Sequence, residues 1–314
     1  MKFIVWFEPE RVAPGTQIAE THPEFVFGGK DGGLFKLNDP EARRFLTDRL
    51  SQRIAEYGID VYRNDFNIDP LGFWRKNDAP DRQGITEIQY VEGLYAMWDE
   101  LRARHPGLWI DNCSSGGRRI DIETCSRSIP LWRSDTNCSS GRSEWKQAQT
   151  AGISLYVPLH AACAWAPDAY DVRSAATAGL LCQFAYLENG FSIERAKPLI
   201  AEARENQPYW YGDFYPLTPC STASDQFIAY QFHRSDLDAG VVLAFRRPEC
   251  NLLGIIVGIQ AVNPERQYLV DLVDEAGEKA TRTLSGAELK ENLPLRLPGK
   301  GSSLLVRYRP EERR

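Results

Sequence analysis

At 314 residues the chain can hold one large α/β domain, or a barrel with a smaller domain attached. Apolar residues make up 43% and charged residues 25%, and the net charge of −6 comes with no basic block, which argues against a phosphate-tracking surface and so against nucleic acid as a partner. Seven cysteines, odd in number and irregularly spaced, argue for reduced thiols and against a disulfide-stapled fold, and the lack of a Cys-x-x-Cys or His-x-x-x-His pair argues against zinc, so no metal and no cofactor is expected.

No stretch approaches the roughly 20 apolar residues that span a bilayer. The apolar run at Met1–Phe7 is too short for a signal peptide, so, read as it stands, the chain is expected in the cytoplasm, with no membrane partner. Eight Trp, thirteen Tyr and fourteen Phe supply flat faces of the kind that sugar C–H surfaces stack on.

In chain order, Lys2–Trp6 reads as a strand. Asp39, Pro40 and Gly58 then frame a helix as N-cap, first helical residue and C-terminal stop. Ile59–Asn64 is the second strand, and Thr86–Arg104 an amphipathic helix with Ile88, Val91, Tyr95 and Trp98 on its apolar face. Leu108–Asp111, Ile129–Arg133, Ser154–Pro158 and Gln183–Leu187 are further strands, with helices over Val172–Leu181 and Glu194–Glu205. This βα alternation predicts a parallel α/β barrel over residues 1–208.

From Tyr209 onward the period becomes two, as in Phe227–Phe232, Gly240–Phe245, Tyr268–Leu272 and Ser303–Tyr308. Residues 209–314 are therefore expected to form an antiparallel β-sandwich.

In parallel barrels the reactive groups sit where strands end. Glu8 and Glu10 follow the first strand; Asp65, Asn67 and Asp69 the second; Asp111, Asn112 and Cys113–Arg119 the third; Ser134, Asp135 and Asn137 the fourth. Acetal hydrolysis needs two carboxyl groups flanking one bond, and Asp65 and Asp135 stand at equivalent positions on two strands. The competing reading of any single such acid is a helix cap.

Gly116 and Gly117 would let backbone approach a ligand, with Cys113 and Ser114 small enough for a sugar to lie against. Arg119 reads equally as a site residue or an ion-pair residue, Glu10 as a loop ion pair with Arg11, and His160 as a loop histidine at the barrel mouth. Trp74 and Trp165 are candidate stacking faces.

Trp6-Phe7-Glu8-Pro9-Glu10, Ile59 to Asn67, Asn112 to Arg119 and Leu131-Trp132-Arg133-Ser134-Asp135 resemble, in order, four motifs of glycoside hydrolase family 36, the melibiase-type α-galactosidases. The resemblance implies a (β/α)8-type TIM barrel, with Asp65 as nucleophile and Asp135 as general acid/base. It places Trp6 and Glu8 near an α-linked sugar, and Arg63, Asn67, Cys113, Ser114, Gly116, Gly117, Arg119, Trp132 and, from its place at the barrel mouth, His160 are the further substrate-binding candidates. Arg63-Asn64 stands where the family usually carries Lys-Trp, so a cation is kept and a Trp face is lost; Thr136-Asn137-Cys138 stands where it usually carries Asn-Thr-Asp. This marks a divergent branch.

About six strands can be counted, and the first motif usually ends the family's third strand, so the barrel is expected to be incomplete at its N-terminus and the chain alone weakly active. The function expected is a retaining α-glycosidase acting on an α-linked oligosaccharide or glycoside. The alternatives are a transferase of the raffinose-synthase type and a non-catalytic carbohydrate-binding remnant. Homo-oligomerisation is left open.

Overall fold

A computed structural model describes residues 1–187 and 190–311 and divides into two compact units, Met1–Asp135 and Thr136–Arg314. In the first unit, strands β1 (Ile4–Phe7), β2 (Val61–Asn64) and β3 (Trp109–Asn112) form a parallel sheet in that order. The register aligns Trp6 with Arg63 and Arg63 with Asp111.

The strand expected at Ile129–Arg133 shrinks to a single parallel bridge between Asp111 and Ile129. Pro130 has no N–H to give the ladder, and the N–H of Leu131 donates to the Asp111 side chain (3.0 Å) in place of a neighbouring strand.

Helix α1 (Pro40–Tyr57) is framed as its sequence reads. Asp39 Oδ1 accepts from the N–H groups of Glu41 (2.8 Å) and Ala42 (3.2 Å), and Gly58 closes the helix at φ 62°. Its Ala42, Leu46, Leu50 and Ile54 form a buried stripe at four-residue spacing. Helix α2 (Ile85–Arg104) buries Tyr90, Leu94, Met97, Trp98 and Leu101, whereas Ile88, expected on the apolar face, is 57% exposed. Gly93 marks the true inner face, because a Cβ there would stand 2.1 Å from the Leu37 carbonyl oxygen. The two stripes share a core with Tyr62, Ile110, Phe35 and Leu37.

In the second unit, α3 (Ser143–Ile153) precedes two parallel strands, β4 (Ala161–Ala164) and β5 (Gly179–Cys182), separated by α4 (Ala169–Ala175). These bounds correct three expectations. Ser154–Pro158 is not a strand, the helix expected over Val172–Leu181 stops at Ala175, and the strand expected at Gln183–Leu187 lies earlier. Thr177 Oγ1 and the Gly179 N–H both donate to the His160 carbonyl (2.6 and 3.1 Å), which draws the chain out of the helix and into the strand pairing. Helix α5 (Ile193–Asn206) follows.

Beyond it, β6 (Asp213–Pro216), β7 (Phe227–Arg234), β8 (Ala239–Arg246), β10 (Gln267–Val273), β11 (Lys279–Ser285) and β13 (Ser302–Pro310) make an antiparallel sheet ordered β11-β10-β13-β8-β7-β6. A ribbon of β9 (Gly254–Val257) and β12 (Leu293–Arg296), with helix α6 (Gly286–Asn292), covers one face through Val257, Leu289, Leu293 and Leu295. Ala151, Ala176 and Trp210 pack on the other. Strand β8 is therefore buried throughout, so its period of two sorts residues between two cores and not between core and solvent. Among the described residues no helix is long and apolar enough to cross a membrane.

Candidate active site

Side chains two apart on a strand share a face, so the row Trp6–Arg63–Asp111 is followed on the same side by Glu8, Asp65 and Cys113. The backbone continues the sheet to that level: the Asp65 N–H donates to Phe7 O (2.8 Å) and the Cys113 N–H to Asn64 O (2.9 Å). Asp65, 8% exposed, accepts the Trp6 indole N–H at Oδ2 (3.0 Å) and the Phe66 N–H at Oδ1 (2.8 Å).

Burial alone would raise the Asp65 carboxyl, but bonds from the Asn67 side chain, the Trp6 indole, the Cys113 thiol and the Phe66 amide outweigh it and hold the group below its ordinary value. The Ser115 hydroxyl donates to Asn67 Oδ1 (2.9 Å), which leaves the Asn67 amide N–H free to serve Asp65. Burial and the bond to Asp65 push the Cys113 thiol up to about 12, so it acts as a donor and not a nucleophile.

Asp135 opens a 3-10 turn, Asp135–Cys138, and is exposed. Trp132 Nε1 donates to its Oδ1 (3.0 Å). Arg63 lies over the Trp132 ring, 5.0 Å from its centroid, while its Nη1 meets Asp111 Oδ2 at 2.6 Å. Asp111 is fully buried, and burial pushes its carboxyl up against the opposing pull of Arg63 and of the Leu131 and Trp132 amides.

The loop Cys113–Arg119 lies against both aspartates. Its Cys113 bonds Asp65, and a Cβ at Gly116 (φ 83°) would stand 2.7 Å from the Asp135 nitrogen. A Cβ at Gly117 would stand 2.4 Å from Arg133 O. The glycines expected to admit a ligand thus have a nearer purpose, which is to seat this loop on the Arg133–Asp135 backbone. Ser114 is buried, donates its N–H to Gly116 O (2.9 Å) and accepts Arg118 Nε at its own carbonyl (2.9 Å).

Several expectations are corrected. Arg11 pairs with Glu8, not Glu10, and the other Glu8 oxygen accepts the Asn67 N–H (3.1 Å). Glu10 is fully buried and takes Arg119 in a two-point grip (2.8 and 2.7 Å), with Arg119 stacked 4.1 Å from the Phe66 ring centroid. Asn64 points to the opposite face from Asp65, where it bonds Glu10, Tyr62 and Trp98, so no ligand-facing surface is lost at position 64.

Trp74 is 9% exposed and packs on Tyr90, as a core residue. His160 stands just before β4 and not after a strand, because the strand lies later than expected; its ring Nε2 is 3.1 Å from Ser154 Oγ. The Trp165 indole donates to Asn137 O (3.0 Å). Sequence reasoning placed Asp111 and Ser115 among the strand-end candidates but did not foresee their partners, Arg63 for Asp111 and Asn67 for Ser115.

The melibiase family pattern matches residues 1–187, and the chain belongs to that family. It is 26% identical over 226 residues to an α-galactosidase of Escherichia coli, covering 67% of this chain and 29% of that protein. To α-galactosidase C of Emericella nidulans it is 26% identical over 309 residues, covering 92% of this chain and 38% of the relative.

Among solved structures, the α-galactosidase of Lactobacillus brevis superposes with a TM-score of 0.83 at 18% identity, over 100% of this chain and 45% of that one. The GH36 α-galactosidase AgaA of Geobacillus stearothermophilus, solved with raffinose, gives 0.81 at 19% identity, over 99% and 45%. The fold is that of GH36 α-galactosidases, and the chain spans under half the length of these relatives.

Proposed function

We propose that this chain carries the catalytic pair of a retaining α-glycosidase acting on terminal α-linked sugars, with galactose as the first sugar to test. The observation that carries the reading is the Asp65 carboxylate, held ionised by four donors on the face that also presents Trp6 and Arg63. A nucleophile must be anionic, and these donors supply that without a neighbouring cation bonded to it. Asp65 attacks the anomeric carbon while Asp135 protonates the departing oxygen. Asp135 then takes a proton from the water that releases the sugar, so configuration is kept.

Trp6, Glu8, Asn67, Cys113, Ser114 and Trp132 would border the sugar. Glu10, Arg119 and Asn64 would brace them from behind. We further propose that residues 1–208 form part of a (β/α) barrel and residues 209–314 the β domain. The substrate class rests on the relatives: AgaA was solved with raffinose and with stachyose, both α-galactosides.

The test is hydrolysis of aryl α-galactosides by the purified chain and by an N-terminally longer form, with NMR of the first-formed anomer. Turnover with retention is expected; Asp65→Asn should abolish turnover, and azide, attacking the glycosyl-enzyme in place of water, should rescue turnover in Asp135→Ala as a glycosyl azide of retained configuration. Inversion, or turnover that survives Asp65→Asn, would overturn the reading.

A further inference from the structure

Asp135 is exposed, and its carboxyl oxygens are not equivalent, because Oδ1 accepts the Trp132 indole N–H at 3.0 Å. Trp132 lies three residues before Asp135 in an irregular segment, so a partner from elsewhere must fix its ring. The Arg63 guanidinium lies over it at 5.0 Å and is itself held by Asp111 Oδ2 at 2.6 Å. Asp111 Oδ1 takes the Leu131 N–H at 3.0 Å, which anchors the backbone just before the ring. Planarity matters here: a guanidinium covers an indole face as a flat plate, whereas an ammonium offers a point charge.

We propose that Trp132 is a positioning residue for the acid/base, its indole N–H fixing which oxygen of Asp135 carries the proton, with Arg63 acting as the plate that keeps the ring in place. This deepens the glycosidase reading and rests on it. In the first step the proton leaves Asp135 Oδ2 for the glycosidic oxygen, the bond from that oxygen to the anomeric carbon breaks, and the Asp65 oxygen bonds the carbon. Oδ1 stays on the indole throughout, so only one oxygen exchanges protons.

Buried Arg133 lies two residues before Asp135 in the same segment. Gly116 seats its loop on the Asp135 nitrogen, and of that loop's cations Arg119 is paired with Glu10 while Arg118 bonds Ser114 O, Phe66 O and Ser115 Oγ. Arg63 and Asp111 reach Asp135 through Trp132.

The experiment has two arms. In the first, the 15N-labelled chain is titrated and the Trp132 indole resonance, assigned by its loss in Trp132→Phe, is followed. It should move with pH in the carboxylate range, stop moving in Asp135→Asn, and move less in Arg63→Lys; an indole signal indifferent to Asp135→Asn would overturn the proposal. In the second, kcat/KM is measured against pH. Trp132→Phe should move the basic limb and cost more on substrates with poor leaving groups than on activated aryl glycosides. An unmoved limb, or an equal loss on both substrates, would overturn it. Should the wild-type chain show no turnover, the glycosidase reading fails alone, and the indole titration still decides the inference.

Discussion

Glu10 and Arg119, 109 residues apart, meet as a two-point ion pair at 2.8 and 2.7 Å, with the carboxylate wholly shielded from water. Tyr90 Oη (2.7 Å) and Asn64 Nδ2 (3.1 Å) donate to the same carboxylate, so neither oxygen is left unsatisfied. Removing one partner strands the other charge in the core. Glu10→Leu or Arg119→Met should each lower unfolding free energy by about 3–5 kcal/mol, whereas the apolar double variant Glu10→Leu/Arg119→Met should cost less than their sum. Urea denaturation of the double-mutant cycle measures this; single losses under about 1 kcal/mol would show the pair to be solvated.

On the proposed mechanism the acidic limb of activity reports Asp65. Its folded value lies below the ordinary carboxyl value of 3.8, so the stability it contributes is complete above that pH and is lost as pH falls through the lower folded value. Cys113→Ala or Trp6→Phe removes one donor, raises the Asp65 value and should move the acidic limb of kcat/KM to higher pH. A limb that stays in place in both variants would contradict the donor set.

The Cys113 thiol, pushed up to about 12 and buried, should resist alkylation in the native protein. Exposed Cys138 and Cys220 should react with iodoacetamide at pH 8 first. Peptide mass spectrometry gives the order, and early labelling of Cys113 would mean the Asp65 pocket is open.

Two glycines with left-handed φ separate strain from collision. Gly58→Ala (φ 62°, open space around it) should cost about 1 kcal/mol. Gly116→Ala (φ 83°) also drives a Cβ into the Asp135 nitrogen, and should reduce kcat by on the order of 10²-fold through displacement of the acid/base. Equal effects on stability and activity in the two variants would argue against the seat.

Asp39→Ala deletes the side-chain acceptor that caps the start of α1, and should cost about 1 kcal/mol by thermal or urea unfolding, against a few tenths for Asp39→Gly.

The sequence carried local rules well and distant partners poorly. Asp39, Pro40 and Gly58 marked α1 because capping is decided within four residues. Strand β4 escaped notice because Ala161-Ala162-Cys163-Ala164 has no β-branched or aromatic residue and lies in a buried layer where alternation vanishes. The capping box Ser285–Glu288 was present as a signal for α6, yet the flanking period of two masked it. Asn64 could have been turned away from the site by counting two residues at a time from Asp65. The partnership of Glu10 with Arg119 had no such signal: Arg11 was the nearer cation in sequence, and only the meeting of β1 with the loop after β3 decides between them.

Asp111 gives one oxygen to Arg63, two residues before Asp65, and the other to Leu131, four residues before Asp135. One short carboxylate therefore works as a caliper between the segments that lead into Asp65 and Asp135. Glu in its place would keep the charge and open the jaws by a methylene, so on the proposed mechanism, where the gap between the two carboxyl groups separates a covalent route from a direct one, the spacing would depend on a residue that need never meet the sugar.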